Sequence, residues 1–197
     1  DIFPIDLDQD GDLDVLAAEY EGDRIIVLRN DGTSGWTITT IDNNAPGATS
    51  VYPNDLDQDG DSDILFASRS GIKWMKCNPC NSDGMVFSDG GWIIQYDEMR
   101  DVFPIDLDQD GDTDVIAADF DDDKIYWYEN NGSQSFTAHT ISTSTDGIIS
   151  VYAVDMDNDG DIDVLSASEY DDKIAWYEND GSENFTSHTI TTDADGA

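Results

Sequence analysis

The chain has 197 residues, 45 of them acidic against 8 basic, for a formal net charge of -37. That balance excludes a nucleic-acid partner, because phosphate binding needs clustered lysine and arginine, and it disfavours an anionic membrane surface. Yet 38% of the residues are hydrophobic and 10% aromatic, recurring in register. The chain therefore reads as folded rather than as a disordered acidic tail.

Taken in order, the sequence is one unit written four times, with starts 49, 51 and 49 residues apart. Such a period indicates a propeller, solenoid or array. We expect unit boundaries at 1–49, 50–100, 101–149 and 150–197. The chain opens inside a repeat, as expected of a mature fragment or part of something longer. It carries no apolar run long enough to span a bilayer and no signal peptide.

Each unit opens on a short apolar segment: Ile2-Phe3-Pro4-Ile5, Val51-Tyr52-Pro53-Asn54, Val102-Phe103-Pro104-Ile105 and Val151-Tyr152-Ala153-Val154. Proline at a fixed place in three of them predicts an edge strand, since proline cannot donate to a ladder. An acidic loop follows. Next comes a run such as Val115-Ile116-Ala117-Ala118, too short for a helix and without strict alternation, which predicts a strand buried on both faces. After an acidic turn, a third strand contains Trp74, Trp127 or Trp176 in the last three units. Asn30-Asp31-Gly32, Asn130-Asn131-Gly132 and Asn179-Asp180-Gly181 then predict tight turns into fourth strands from Trp36 to Ile41, Phe136 to Ile141 and Phe185 to Ile190. Four antiparallel strands per unit make an all-β chain, a β-propeller of four-stranded blades with four blades present.

The second unit differs. It carries Cys77-Asn78-Pro79-Cys80 in place of the Asn-Asp-Gly turn, and a Gly-rich excursion through Asp83-Gly84 and Asp89-Gly90-Gly91 before Trp92. A redox pair would belong beside a βαβ unit, and zinc would need two further soft ligands. A local disulfide bracing the altered turn is the preferred reading, with unpaired thiols as the alternative.

The acidic loop holds the chemistry. Its first copy has Asp6, Asp8, Asp10, Asp12 and Asp14, and its second Asp55, Asp57, Asp59, Asp61 and Asp63. The third has Asp106, Asp108, Asp110, Asp112 and Asp114, and the fourth Asp155, Asp157, Asp159, Asp161 and Asp163. Alternate carboxylates around a glycine at the sixth position can converge on one point. Bare charges 4 Å apart repel by about 4 kcal/mol at an effective dielectric of 20, so a nine-residue agreement in four copies implies a bound cation. Hard oxygen ligands suit Ca2+ at four sites, one per blade, with carboxylates from positions 1, 3, 5 and 9 and the carbonyl of position 7. Mg2+ demands stricter geometry, and zinc lacks His or Cys here. An EF-hand would need Glu at position 12, where this chain has Ala17, Phe66, Ala117 and Ser166.

This loop, followed by a small-residue strand and Trp-Tyr-Glu-Asn, resembles the VCBS/FG-GAP family of β-propeller repeats over essentially the whole chain. That family is related to the calcium-bearing blades of the integrin α-subunit. The resemblance implies Ca2+ between the first and second strands of each blade. Literal Phe-Gly and Gly-Ala-Pro signatures are missing, so no integrin-type ligand is carried over.

His139 and His188 occupy one place in sibling strands and read as structural surface residues. Trp74, Trp127 and Trp176 are expected between blades, and Trp36 and Trp92, by the turns, on a packed rim, with exposed sugar platforms as the alternative. The expected function is a calcium-stabilised, non-catalytic, extracellular module of adhesion or assembly, with a protein or glycan partner and possible self-association. A carbohydrate-binding, lectin-like propeller or an accessory domain of a polysaccharide-degrading enzyme is the alternative. A catalytic propeller ranks last, resting on a loose basic set of Arg69, Lys73, Lys76 and Arg100.

Overall fold

Short β-branched runs punctuated by Gly, Asn and Asp cannot form helices of useful length, and each repeat instead folds as one antiparallel meander. The computed structural model describes residues 1–81, 83–95 and 97–197. Among these, the first sheet holds β1 (Ile2–Ile5), β2 (Asp14–Glu19), β3 (Arg24–Asn30) and β4 (Trp36–Asp42). The second holds β5 (Ser50–Asn54), β6 (Asp63–Ser68), β7 (Gly71–Asn81) and β8 (Gly84–Gln95). The third holds β9 (Met99–Ile105), β10 (Asp114–Asp119), β11 (Lys124–Asn130) and β12 (Phe136–Ser142). The fourth holds β13 (Ile148–Val154), β14 (Asp163–Ser168), β15 (Lys173–Asn179) and β16 (Phe185–Thr191). In every sheet the strands pair in chain order, so the four sheets are the blades of a β-propeller fold.

The proline-bearing first strands lie at sheet edges, as their missing N–H groups require. The second strands lie inside the sheets, and β6 and β10 are buried at every residue. Burial on both faces explains why these runs lack alternation.

The chain divides into two compact units, residues 1–97 and 98–197, each with two blades and one apolar core. In the first unit, Leu16, Ile25 and Val27 of one blade meet Val51, Ile64 and Phe66 of the next. In the second, Ile116, Ile125 and Trp127 meet Val151, Val164 and Tyr177. Carboxylates fasten the blades of a unit together. Asp1 accepts the Val51 N–H at 3.2 Å, and Asp101 accepts both the Val151 N–H at 3.0 Å and the Ser150 hydroxyl at 2.9 Å. The turns between second and third strands hold the segment that follows the fourth strand of the same blade. Asp23, Asp123 and Asp172 accept the N–H groups of Gly47, Gly147 and Gly196 at 2.8, 2.7 and 3.0 Å. Part of the acidity thus serves the backbone.

The second blade departs from the sequence expectation. Its Gly-rich stretch is no loose excursion: β7 and β8 run on as a long hairpin down to Asn81↔Gly84, with register shifts at three places. Gly90 is required by Trp74, whose ring occupies the space a Cβ would need. Cys77 and Cys80 form the local disulfide, both buried, with Cα atoms 5.5 Å apart within β7.

Candidate functional site

Each acidic loop begins just past the end of a first strand and ends on the first residue of a second strand, so both sides of the loop are held by the ladder. Asp14, Asp63, Asp114 and Asp163, at position nine, pair across the ladder with Ile5, Asn54, Ile105 and Val154. Their buried carboxylates close the loop. One oxygen accepts the N–H of Leu7, Leu56, Leu107 or Met156 at 2.9–3.2 Å. The other accepts the N–H of Asn30, Cys77, Asn130 or Asn179 on the third strand at 2.8–3.0 Å.

Successive Asp side chains then turn the backbone. Position five accepts the N–H of position seven at 2.9–3.1 Å in all four loops, and position one accepts the glycine N–H at 3.0–3.2 Å. The glycine has φ between 94° and 102°, a conformation that costs a side chain dearly. Position four is also left-handed, with φ from 58° to 66° at Gln9, Gln58, Gln109 and Asn158. Sequence reasoning found the glycine but missed this second reversal. Leu7, Leu56 and Leu107 at position two are buried and anchor the loops, whereas Met156 is exposed.

The turning brings carboxylate oxygens together. Atoms from Asp6, Asp8 and Asp10 lie within 4.8 Å of one another, as do those of Asp55, Asp57 and Asp63. The same holds for Asp106, Asp108 and Asp114, and for Asp155, Asp157 and Asp163. Positions one and three therefore belong to every cluster, joined by position five in the first loop and position nine in the others. Asp12, Asp61, Asp112 and Asp161 stay outside these groups; Asp12, Asp112 and Asp161 press against the turn glycines Gly32, Gly132 and Gly181. Asp59, Asp110 and Asp159 serve the loop backbone.

Several carboxylate oxygens are buried without a hydrogen-bond partner: Asp6 Oδ1, Asp57 Oδ1 and Asp106 Oδ1. Burial without a partner is costly for a charged acceptor, and a divalent cation is the group that satisfies several such oxygens at once. Burial also pushes the carboxyl groups upward. Asp63 rises to about 7 and Asp114 to about 6, despite backbone donors that favour their charged forms. Asp8, Asp108 and Asp157 are raised for the same first reason, with neighbouring carboxylates adding to it. These four all-oxygen clusters, one per blade, could each hold a metal ion.

Lys73 pairs with Asp42 at 2.8 Å, Lys76 with Asp57 and Asp59, Arg69 with Tyr20, and Arg100 with Glu98. These basic residues are committed to separate partners. His139 stacks on Trp127 and meets Glu129 at 2.7 Å; His188 repeats this with Trp176 and Glu178 at 2.6 Å. Trp127 is buried in a core shared by two blades as expected, Trp74 is buried against Gly90 of its own blade, and Trp176 is only partly covered. Trp36 is 57% exposed, not packed into a rim, and Trp92 is half-buried beside Lys73.

A model of the FG-GAP-like repeat matches residues 6–66, 106–166 and 155–197. No curated protein matches the chain. Among solved structures, a lectin of Agrocybe aegerita that recognises non-reducing terminal N-acetylglucosamine is similar at a TM-score of 0.61 and 22% identity, over 100% of this chain and 53% of that one. The V. cholerae biofilm matrix protein Bap1 is similar at 0.62 and 16%, over 93% of this chain and 27% of that one. An auxiliary nutrient binding protein from Bacteroides ovatus follows at 0.56 and 11%, over 93% and 45%. The chain thus spans about half the length of the lectin or less of these neighbours, and at such identities the likeness is one of fold. No described helix is long and apolar enough to cross a membrane.

Proposed function

The chain belongs to the FG-GAP-like repeat family, and from that footing we propose that it is a calcium-stabilised, non-catalytic binding module working outside the cell, in adhesion or assembly. The observation that carries the reading is the set of buried carboxylate oxygens without partners, Asp6 Oδ1, Asp57 Oδ1 and Asp106 Oδ1, each inside an acidic cluster. Asp6, Asp8 and Asp10 would hold the ion in the first blade, and the residues at positions one, three and nine would hold it in the other three. Oxygens across a Ca2+ ion stand at most about 5 Å apart, given bonds of 2.3–2.6 Å, and the clustered atoms lie within 4.8 Å. The bound ion supplies positive charge that cancels carboxylate repulsion; the loop residues supply its shape through their own hydrogen bonds. Extracellular placement is supported by the disulfide and by the kind of proteins that share the fold. Calorimetric titration of Ca2+ into metal-stripped protein tests the reading: saturable binding supports it, and absence of heat at millimolar Ca2+ removes it.

A glycan is the favoured partner class. The support is Trp36, an aromatic face left 57% exposed beside the turn of the first blade, together with a fold shared with a lectin. A glycan array read with Ca2+ present, using the native protein and Trp36→Ala, decides the matter. Binding lost in the variant supports a sugar platform, and a silent array contradicts it.

A further inference from the structure

The four loops are near copies, but the residue that faces them from the third strand changes sign. Leu28 and Tyr128 stand opposite Val15 and Val115, Tyr177 opposite Val164 and Met75 opposite Ile64. The next residue in each strand is therefore Arg29, Lys76, Glu129 or Glu178. The residue after it donates its N–H to position nine in all four blades, so this position is equivalent in the register of each blade.

In the first unit that position puts a cation inside the cluster. Arg29 Nε lies 2.8 Å from Asp8 Oδ2 and also 2.8 Å from Asp31. Lys76 Nζ pairs with Asp57 and sits 2.8 Å from Asp59 Oδ2, where Asn78 adds a hydrogen bond of 2.6 Å. In the second unit it adds another anion, whose charge reaches Asp108 from Glu129 and Asp157 from Glu178. Both glutamates are oriented by a histidine, which itself is stacked on a tryptophan.

We propose that the four loops form two affinity classes: those of residues 6–14 and 55–63 carry a resident side-chain cation and bind Ca2+ weakly, while those of 106–114 and 155–163 bind it tightly. The inference rests on the calcium reading above. A metal ion entering the first or second loop must displace Arg29 or Lys76 from position three, and none faces that competition in the third or fourth. The first unit then gains little stability from metal at low Ca2+, and the second gains most of the increment. Arg29 and Lys76 act as specificity-determining residues for how many ions the chain holds at a given Ca2+ concentration.

The test is calorimetric titration of CaCl2 into the metal-stripped full chain at low ionic strength. The native protein is expected to show two classes of about two sites each, differing at least about tenfold in Kd. Arg29→Gln with Lys76→Gln should tighten the weak class about tenfold and leave the tight class in place. Arg29→Lys, which keeps the charge, should leave its site weak, and Glu129→Gln with Glu178→Gln should loosen the tight class. Four sites of one affinity, or a weak class unmoved by Arg29→Gln with Lys76→Gln, would overturn the proposal while leaving the calcium reading intact. No binding at all would instead sink the calcium reading. Far-UV circular dichroism of each variant confirms that the fold is retained, and 25–29% exposure of the Arg29 and Lys76 side chains makes that the expected result.

Discussion

Asp114 accepts the backbone N–H of Asn130 at 2.8 Å, and this bond ties the end of an acidic loop to the end of the third strand of its blade. The same carboxylate holds the Leu107 N–H at 3.1 Å. Asp114 therefore does two things: it clamps the loop and belongs to the oxygen cluster. Asp106 differs, with one oxygen on the Gly111 N–H and the other buried and unpartnered. Asp114→Ala is expected to destabilise the metal-free protein by about 3 kcal/mol, from two buried donors left without an acceptor. Asp106→Asn is expected to leave the metal-free protein as stable or more so, and to lose the Ca2+ increment of its blade. Urea unfolding with and without Ca2+ separates the two; equal behaviour of both variants would contradict the division of labour.

Stability of the metal-free chain should fall as pH rises. Burial holds Asp63 at about 7 and Asp114 at about 6 in the folded state, against about 3.9 when unfolded. Between those values the folded state binds more protons than the unfolded one, so stability declines as pH rises from about 4 to about 7 and then levels off. Bound Ca2+ favours the charged carboxylates, so the calcium increment should grow over the same interval. Melting curves of metal-stripped and calcium-loaded protein from pH 5 to 8 check this, and a calcium increment independent of pH would count against it.

The disulfide closes a very short loop. A constraint of that size stabilises by about 2 kcal/mol through the unfolded state. The double variant Cys77→Ala, Cys80→Ala should lose about that much in urea unfolding of otherwise identical samples. A loss within error of zero would mean that the long β7–β8 hairpin holds without its brace.

Gly90→Ala should cost about 1–3 kcal/mol, the usual range for overpacking, because the added methyl would enter the Trp74 ring. Shifted tryptophan fluorescence and a lowered melting temperature are the expected readouts. Gly91→Ala meets only the edge of that ring, at 3.9 Å, but has φ of 125°. Its cost would come from backbone strain without a fluorescence change.

Much of this architecture can be read from the repeats. Prolines at a fixed place marked the edge strands, and alternate Asp residues around Gly11, Gly60, Gly111 and Gly160 marked the loops that the structure brings into clusters. What escaped depends on contacts across strands. The long hairpin of the second blade was hidden because Gly90 and Gly91 look like turn residues, whereas Gly90 makes room for Trp74. Asp12, Asp112 and Asp161 share the period of the clustered residues, yet their side chains pack on turn glycines. Arg29 and Lys76 are unremarkable in the sequence; only the strand register places them at an acidic loop some twenty residues upstream. The exposure of Trp36 likewise follows from packing that no local pattern encodes.

The central claim is that calcium stabilises these blades, and thermal unfolding measures it most directly. At a hundredfold excess over Kd, one site stabilises by about 2.7 kcal/mol, and 1 kcal/mol shifts a chain of this size by about 2–4 °C. Two tight sites should therefore raise the melting temperature by about 10 °C or more on going from chelator to 1 mM Ca2+, with Mg2+ giving far less. An unchanged melting temperature in saturating Ca2+ would contradict the account.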